Sequence, residues 1–331
     1  IVGKTGVGKS TLINSVFQGE LCKTGQGRPV TSETREIFKE DIPIHIFDTR
    51  GLEVNDFQSN LDELLALVKD RKSRSEPNEH IHVAWLCIQE DSRRIEDSDI
   101  RLHERLSDHM PLLGVVTKAR SDQGFRRKVQ ELLPQARNVL RTMAIPDHLD
   151  DGHVIPPHGL AELIDATYEL VPEGHRTAFT AAQKANIALK GKRARKYVKT
   201  AAATAAGIGG VPIPFSDAVL LIPTQVGMLA SISSCFGLQL TTAFLGTLLA
   251  SSTGITGATF LGRSVASNLL KLIPGAGYVV GGLISGSTAA LITTLLGEAY
   301  IRTLTTVLSK KDLSDITVSE ISEEFKRQLK Q

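Results

Sequence analysis

Gly3-Lys4-Thr5-Gly6-Val7-Gly8-Lys9-Ser10 has the spacing GxxxxGK[ST], a pattern suited to a chain of phosphates. Glycines let successive backbone N–H groups turn inward around an anion, and a helix starting behind them adds the positive end of its dipole. Lys9 would meet the β- and γ-phosphates, and Ser10 would coordinate Mg²⁺. Lys4, Thr5, Val7 and Thr11 complete the stretch that would line the phosphates around Gly3, Gly6 and Gly8. Asp48-Thr49-Arg50-Gly51 follows the apolar stretch Ile42–Phe47. An Asp there can hold Mg²⁺ through water, and Gly51 can offer its N–H to a terminal phosphate and move when that phosphate leaves. Thr117-Lys118-Ala119-Arg120 ends another apolar stretch, Leu112–Thr117.

Three such loops need a scaffold that brings strand ends together. Ile1-Val2 reads as the stub of a strand too short to stand alone, so the chain is expected to be a piece of a longer protein. Lys9–Gln18 reads as a helix with Leu12, Ile13, Val16 and Phe17 on one face, ended by Gly19. Thr34–Lys39 and Ile42–Asp48 read as strands joined at Glu40-Asp41. Helix Leu61–Lys72, strand Ile81–Ile88, helix Asp97–Ser107 and strand Leu112–Thr117 follow. Helix Phe125–Thr142, a short strand His153–Ile155 and helix Gly159–Leu170 close the series. Apolar strands alternating with helices predict an α/β domain over residues 1–171, its mostly parallel sheet covered on both faces.

The rest of the chain has a different composition. Of the 331 residues, 22% are charged, yet residues 200–297 hold only Asp217, Arg263 and Lys271. Residues 172–199 form a basic linker helix, with seven Lys or Arg and no acid from Gln183 to Lys199. Residues 200–310 read as an all-α domain rich in Ala, Gly, Ser and Thr, broken into several helices by Pro212, Pro214, Pro223 and Pro274. In residues 311–331, Thr317 with Glu320 fits a capping box, and Val318, Ile321, Phe325 and Leu329 form the stripe of a charged amphipathic tail helix. Net charge +2 excludes a protein that coats nucleic acid through bulk charge. Three scattered cysteines, Cys22, Cys87 and Cys235, give neither a disulfide framework nor a metal cluster.

The three loops together resemble a translation-factor-class P-loop GTPase of the Era-like branch, which implies GTP and GDP as ligands, Mg²⁺ as cofactor and GTP hydrolysis. In that family the third motif is [NT]KxD, whose Lys packs over guanine and whose Asp accepts two hydrogen bonds from its edge. This sequence offers Thr117 and Lys118, but Arg120 stands where the Asp belongs. Asp122 substitutes if the loop bulges. Gly27-Arg28-Pro29-Val30-Thr31 resembles the first switch loop, whose Thr closes over Mg²⁺; Thr31 is the choice and Thr34 its rival. The last base-contacting loop would fall near Ile155-Pro156-Pro157-His158, where the usual Ser-Ala pair is missing, so no residue is assigned there. Leu52 occupies the place of a water-orienting Gln, so no catalytic residue is assigned and hydrolysis is expected to be slow or partner-stimulated. His80, His82, His103 and His109 have no metal-ligand spacing and read as ordinary surface or strand residues.

The second half resembles a bacterial helical domain of unknown function, DUF697-like. The resemblance is carried by Lys190 to Leu238, above all Ala201–Gly210, Val211–Asp217 and Pro223–Met228. It implies membrane association. Length suffices for a span, and Gly277-x-x-x-Gly281 and Gly282-x-x-x-Gly286 suit close packing in a bilayer. The basic cluster Lys184–Lys199 then marks a cytoplasmic flank. The expectation is a GTP-dependent switch with its G domain in the cytoplasm and its helices at a bacterial membrane, with homo-oligomers as possible assemblies. Two alternatives stay open: a soluble P-loop NTPase of relaxed base choice whose helical half oligomerises, and a nucleotide-gated structural membrane protein.

Overall fold

Ala84–Gln89 (β4) and Leu112–Thr117 (β5) are buried almost without interruption, as parallel strands covered on both faces must be. They pair in register from Ala84↔Leu112 to Gln89↔Thr117. Val2–Gly3 (β1) lies parallel to β4 on one side, and Asn138–Arg141 (β6) lies parallel to β5 on the other, giving the order β1-β4-β5-β6. This computed structural model describes residues 1–17, 21–22, 34–39, 42–49, 51, 57–208, 216–252 and 286–329. They form two units, Ile1–Asn186 and Ile187–Gln331.

In the first unit, Arg35–Lys39 (β2) and Ile42–Asp48 (β3) form an antiparallel hairpin. Ile1 N donates to Phe47 O at 2.8 Å and Thr49 N donates to Ile1 O at 3.2 Å, so β3 runs beside β1. Helices Lys9–Val16 (α1), Phe57–Ser73 (α2) and Asp97–Ser107 (α3) follow the strands that precede them. Leu61, Leu65 and Val68 of α2 and Leu102 and Leu106 of α3 share a core with Leu86, Ile88 and Val116 of the sheet. Phe17 stacks on Trp85 with ring centroids 5.9 Å apart. The Trp85 indole N–H donates to Thr167 Oγ1 at 3.0 Å, tying β4 to Leu160–Leu170 (α5).

The helix expected over 125–142 is corrected. Phe125–Leu132 (α4) stops at Leu133, the residue before Pro134, because a proline disfavours helical backbone on its N-terminal side and supplies no N–H. The chain then forms β6, with Val139 fully buried. The short strand Val154–Ile155 (β8) pairs with an unanticipated partner, Asp147–His148 (β7). α2 begins four residues before its expected start, and β4 begins at Ala84 instead of Ile81. Arg176–Ala182 (α6) ends the unit.

The second unit stacks Ile187–Ile208 (α7), Ser216–Phe236 (α8), Thr242–Ser252 (α9), Gly286–Leu308 (α10) and Val318–Gln328 (α11) on one core. Ala194 and Val198 of α7, Leu229 and Ile232 of α8, Leu296 and Tyr300 of α10, and Phe325 of α11 meet there. One helix, α7, carries both the basic residues and the start of the small-residue stretch. Pro223 does not break a helix as expected: it lies inside α8, which loses one ladder N–H there and continues, with Leu221, Met228, Leu229 and Ile232 buried. The tail helix forms behind its capping box, with Glu320 N donating to Thr317 Oγ1 at 3.3 Å. Ile321 and Phe325 are buried, whereas Val318, expected on the same stripe, is exposed. Pro212, Pro214, Pro274 and the first glycine-spaced pair, Gly277 and Gly281, lie outside the described residues, as do the turn Glu40-Asp41 and Gly19. Among the described residues no helix is long and apolar enough to cross a membrane.

Candidate nucleotide-binding site

The stretch from Gly3 to Ser10 joins the carboxyl end of β1 to the first turn of α1. Gly6 and Gly8 hold left-handed backbone angles, φ +76° and +95°, which let the chain turn tightly on itself. Lys9, only 6% exposed, folds back so that Nζ donates to Gly3 O at 2.8 Å and Lys4 O at 2.9 Å. Thr5 is exposed at the rim, Val7 is buried beneath it, and Thr11 is half-buried in α1. Lys4 pairs with Glu96 at the start of α3.

The DxxG aspartate arrives from β3. Ser10 Oγ donates to Asp48 Oδ2 at 2.7 Å, so two residues that are 38 apart in sequence share one spot. Asp48 is 2% exposed, and its Oδ1 has no hydrogen-bond partner. A buried carboxylate oxygen of this kind needs a donor or a cation. The donor set, a hydroxyl and a carboxylate, is the hard-oxygen pair that Mg²⁺ accepts, so the residues present fit that ion. Cys22 lies beside Asp48, and burial, then the Asp48 charge, pushes its thiol up to about 12. A thiol so held stays protonated. Gly51 sits against the phosphate loop so closely that a Cβ there would fall 1.8 Å from Thr5 Oγ1. Of the two switch-loop candidates, Thr31 lies outside the described residues and Thr34 is exposed just before β2. Leu52 is also outside them.

The third motif closes the far side. Thr117 Oγ1 donates to Val7 O at 2.6 Å, and Lys118 Nζ donates to Gly6 O at 2.8 Å. Lys118 itself holds a left-handed φ of +51°. Arg120 N and Ser121 N donate to Glu90 Oε2 at 2.6 and 2.8 Å. Glu90 is 1% exposed at the end of β4 and forms a two-pronged pair with Arg141 of β6, at 2.7 and 3.1 Å. Burial alone would raise its pKa, but the Arg141 bonds and the two backbone N–H groups hold the carboxyl below the usual carboxylate range. Asp122 Oδ1 accepts Arg126 N at 2.8 Å at the start of α4. The Arg120 side chain turns to Asp147 of β7, with Nε 2.5 Å from Oδ2.

Sequence reasoning missed Glu90 and Asp147. An acid directly after an apolar strand was the signal for Glu90; Asp147 had none, because its strand was not anticipated. Ile155, the first residue of the loop expected near Ile155–His158, ends β8, which lies outside the four-stranded sheet. The strand beside β5 is β6, so the next loop starts at Thr142, whose carbonyl accepts Ala119 N at 3.1 Å. His158 reaches the same segment, Nε2 lying 3.0 Å from Ala119 O. His103, expected as a surface or strand residue, is fully buried in α3, and burial lowers its pKa. Among the described residues no group of three or more His, Cys, Asp or Glu can hold a metal.

A glycine loop between a strand and a helix, with its lysine and a serine–aspartate pair, defines a P-loop nucleotide-binding domain. Residues 1–118 match the family described as 50S ribosome-binding GTPase, and residues 175–331 match the domain of unknown function DUF697. The chain therefore joins a GTPase domain to a DUF697 domain. Translocase of chloroplast 101 from Physcomitrium patens is 35% identical over 82 residues, 24% of this chain and 9% of that protein. Translocase of chloroplast 108 from the same organism is 34% identical over 82 residues, again 24% of this chain and 8% of that protein. The match thus spans less than a tenth of either relative. No solved structure matches the chain.

Proposed function

We propose that this protein binds GTP and GDP with Mg²⁺ and hydrolyses GTP as a molecular switch. The observation that carries the reading is the Lys9 ammonium folded over the phosphate loop, beside a Ser10–Asp48 pair with one unpartnered carboxylate oxygen. Gly3 to Thr11 and Gly51 line the phosphates, Ser10, Asp48 and Thr31 serve the metal, and Thr117, Lys118 and a carboxylate face the base, Asp122 being the sequence's candidate. Mg²⁺, when bound, neutralises charge on the β- and γ-phosphates. The chain's own part is to seat the phosphates on backbone N–H groups and to bring Gly51 against them. Leu52 has no group to orient water, so turnover by the isolated protein is slow.

The helical unit carries the output, and a membrane surface is its proposed place, with the basic face of α7 toward anionic headgroups on the cytoplasmic side. Leu291 and Leu295, large apolar side chains exposed on α10, favour a second reading, a packing module through which copies assemble. Flotation with anionic vesicles, set against sedimentation without them, separates the two. The central test is Lys9→Ala: GTP affinity should fall at least about tenfold, the scale of one charge-assisted contact, with the sheet still folded by circular dichroism. Unchanged affinity overturns the assignment.

A further inference from the structure

The geometry points to Asp147 as the carboxylate that reads the base edge, with Arg120 as its positioning residue. This rests on the GTP reading above. Ligands of open parallel sheets lie at the carboxyl ends of the strands. Lys118 is bonded to Gly6 of the phosphate loop, so a nucleotide seated there extends its base across the end of β5 and over residues 118–122.

That segment is built to stay in place. Glu90 holds the N–H groups of Arg120 and Ser121, Thr142 O holds Ala119 N, and Arg93 donates to the carbonyls of Ser121 and Asp122. Four carboxylates surround it. Glu90 is saturated by Arg141 and two backbone donors. Asp122 is engaged at the start of α4 and stands 3.7 Å from Arg141 Nε. Asp91 is 3.9 Å from Arg120 and takes a bond from Gln89. Asp147 differs in its partner: the Arg120 side chain, which stands at the motif position, holds its Oδ2, it is 24% exposed, and among the described residues no hydrogen bond reaches its Oδ1.

The chemistry agrees. Guanine presents N–H donors along the edge that carries its 2-amino group, and a lone guanidinium, which is all donor, opposes them. Paired to Asp147, Arg120 contributes no repulsion of its own and leaves Oδ1 of the carboxylate to accept from the base. The carboxylate has moved from the motif position to the β7–β8 hairpin, and the arginine anchors it.

The test is the ratio of affinities for GTP and ITP, which lacks the 2-amino group, measured with Mg²⁺ on the full chain. The native protein should prefer GTP by roughly tenfold, the scale of one charge-assisted hydrogen bond. Asp147→Asn should bring the ratio to about one, while Asp122→Asn leaves it unchanged. Combining Arg120→Asp with Asp147→Arg keeps the pair and returns an acid to the motif position, so it should restore the preference that Asp147→Arg alone removes. The double variant also decides the matter if a single variant fails to fold. No native preference, a ratio that survives Asp147→Asn, or one that is lost in Asp122→Asn overturns the inference. If GTP binding does not depend on Lys9, the reading of the site fails and this inference with it. If that dependence holds and only the ratio disobeys, Asp147 alone is wrong.

Discussion

In the first unit, glycines such as Gly6 and Gly8 lie in loops with left-handed φ, whereas in the second, Gly191, Gly286 and Gly297 lie in helices against a neighbouring helix. A Cβ at Gly286 would fall 2.4 Å from Ala206 O, and one at Gly297 would fall 2.6 Å from Val198. The same residue type frees backbone N–H groups for a ligand in one unit and lets helix backbones approach in the other. Buried charge divides the same way. The first unit gathers Lys9, Asp48 and Glu90 at loop and strand ends around one site. The second buries Lys190 (1% exposed) under the end of α8, where Nζ donates to Phe236 O at 3.3 Å and burial pulls its pKa down to about 7. Gly6 and Gly8 leave room for a ligand; Gly286 and Gly297 let helices pack.

That contrast is open to attack by substitution. The largest effect is expected from Gly3→Ala, since Gly3 has φ +141° and its Cβ would lie 2.5 Å from Cys87 O in the adjacent strand. Strain and overlap together should cost at least about 3 kcal/mol in a denaturant melt; a loss under 1 kcal/mol would show that the strand ends are not so tightly fixed. Glu90→Ala should cost about 2–3 kcal/mol and weaken GTP binding, because it strands Arg141 and two backbone N–H groups. Gly297→Ala should cost about 2 kcal/mol, read as earlier loss of helicity with GTP affinity retained. A fall in GTP affinity there would blur the division of roles.

The smallest effect concerns Lys190. Its folded pKa of about 7 lies below the unfolded value of 10.5, so between those limits the unfolded chain binds more protons and stability rises with pH. Lys190→Met should remove that slope and stabilise the protein by about 1 kcal/mol at pH 7. Melts at pH 7 and pH 9 check it; an unchanged slope would assign the pH response elsewhere.

The parts legible in the sequence are those whose causes are local. Asp97–Ser107 keeps its expected limits because Asp99 Oδ2 accepts Glu96 N at 3.0 Å at the helix start, and Leu112–Thr117 because every residue in it is buried. The phosphate loop was legible from its spacing between strand and helix, and Asp48 from its place at the end of the next apolar stretch. β6 was not: it has four residues, and the surrounding pattern imitates a helix until Pro134 is given its weight. Glu90 and Asp147 depend on partners 51 and 27 residues away, a separation that no periodicity records. Thr31, the expected switch threonine, and Leu52, in the place of a water-orienting Gln, fall outside the described residues.

Thr117 and Lys118 are adjacent in sequence and grip Val7 O and Gly6 O, which are also adjacent. On the nucleotide-binding reading proposed above, the segment assigned to the base and the segment assigned to the phosphates are thereby stitched together at two points. Neither end of a nucleotide can then be judged separately. On that reading, a poorly fitting base that shifts residues 117–118 would drag the phosphate cradle with it, and loss of the terminal phosphate would loosen the platform under the base. Linkage makes this reciprocal: whatever free energy the triphosphate end lends to base discrimination, the base returns in equal measure to discrimination between tri- and diphosphate. On the proposed reading, the two hydrogen bonds thus make selectivity for the letter and sensitivity to the charge a single property.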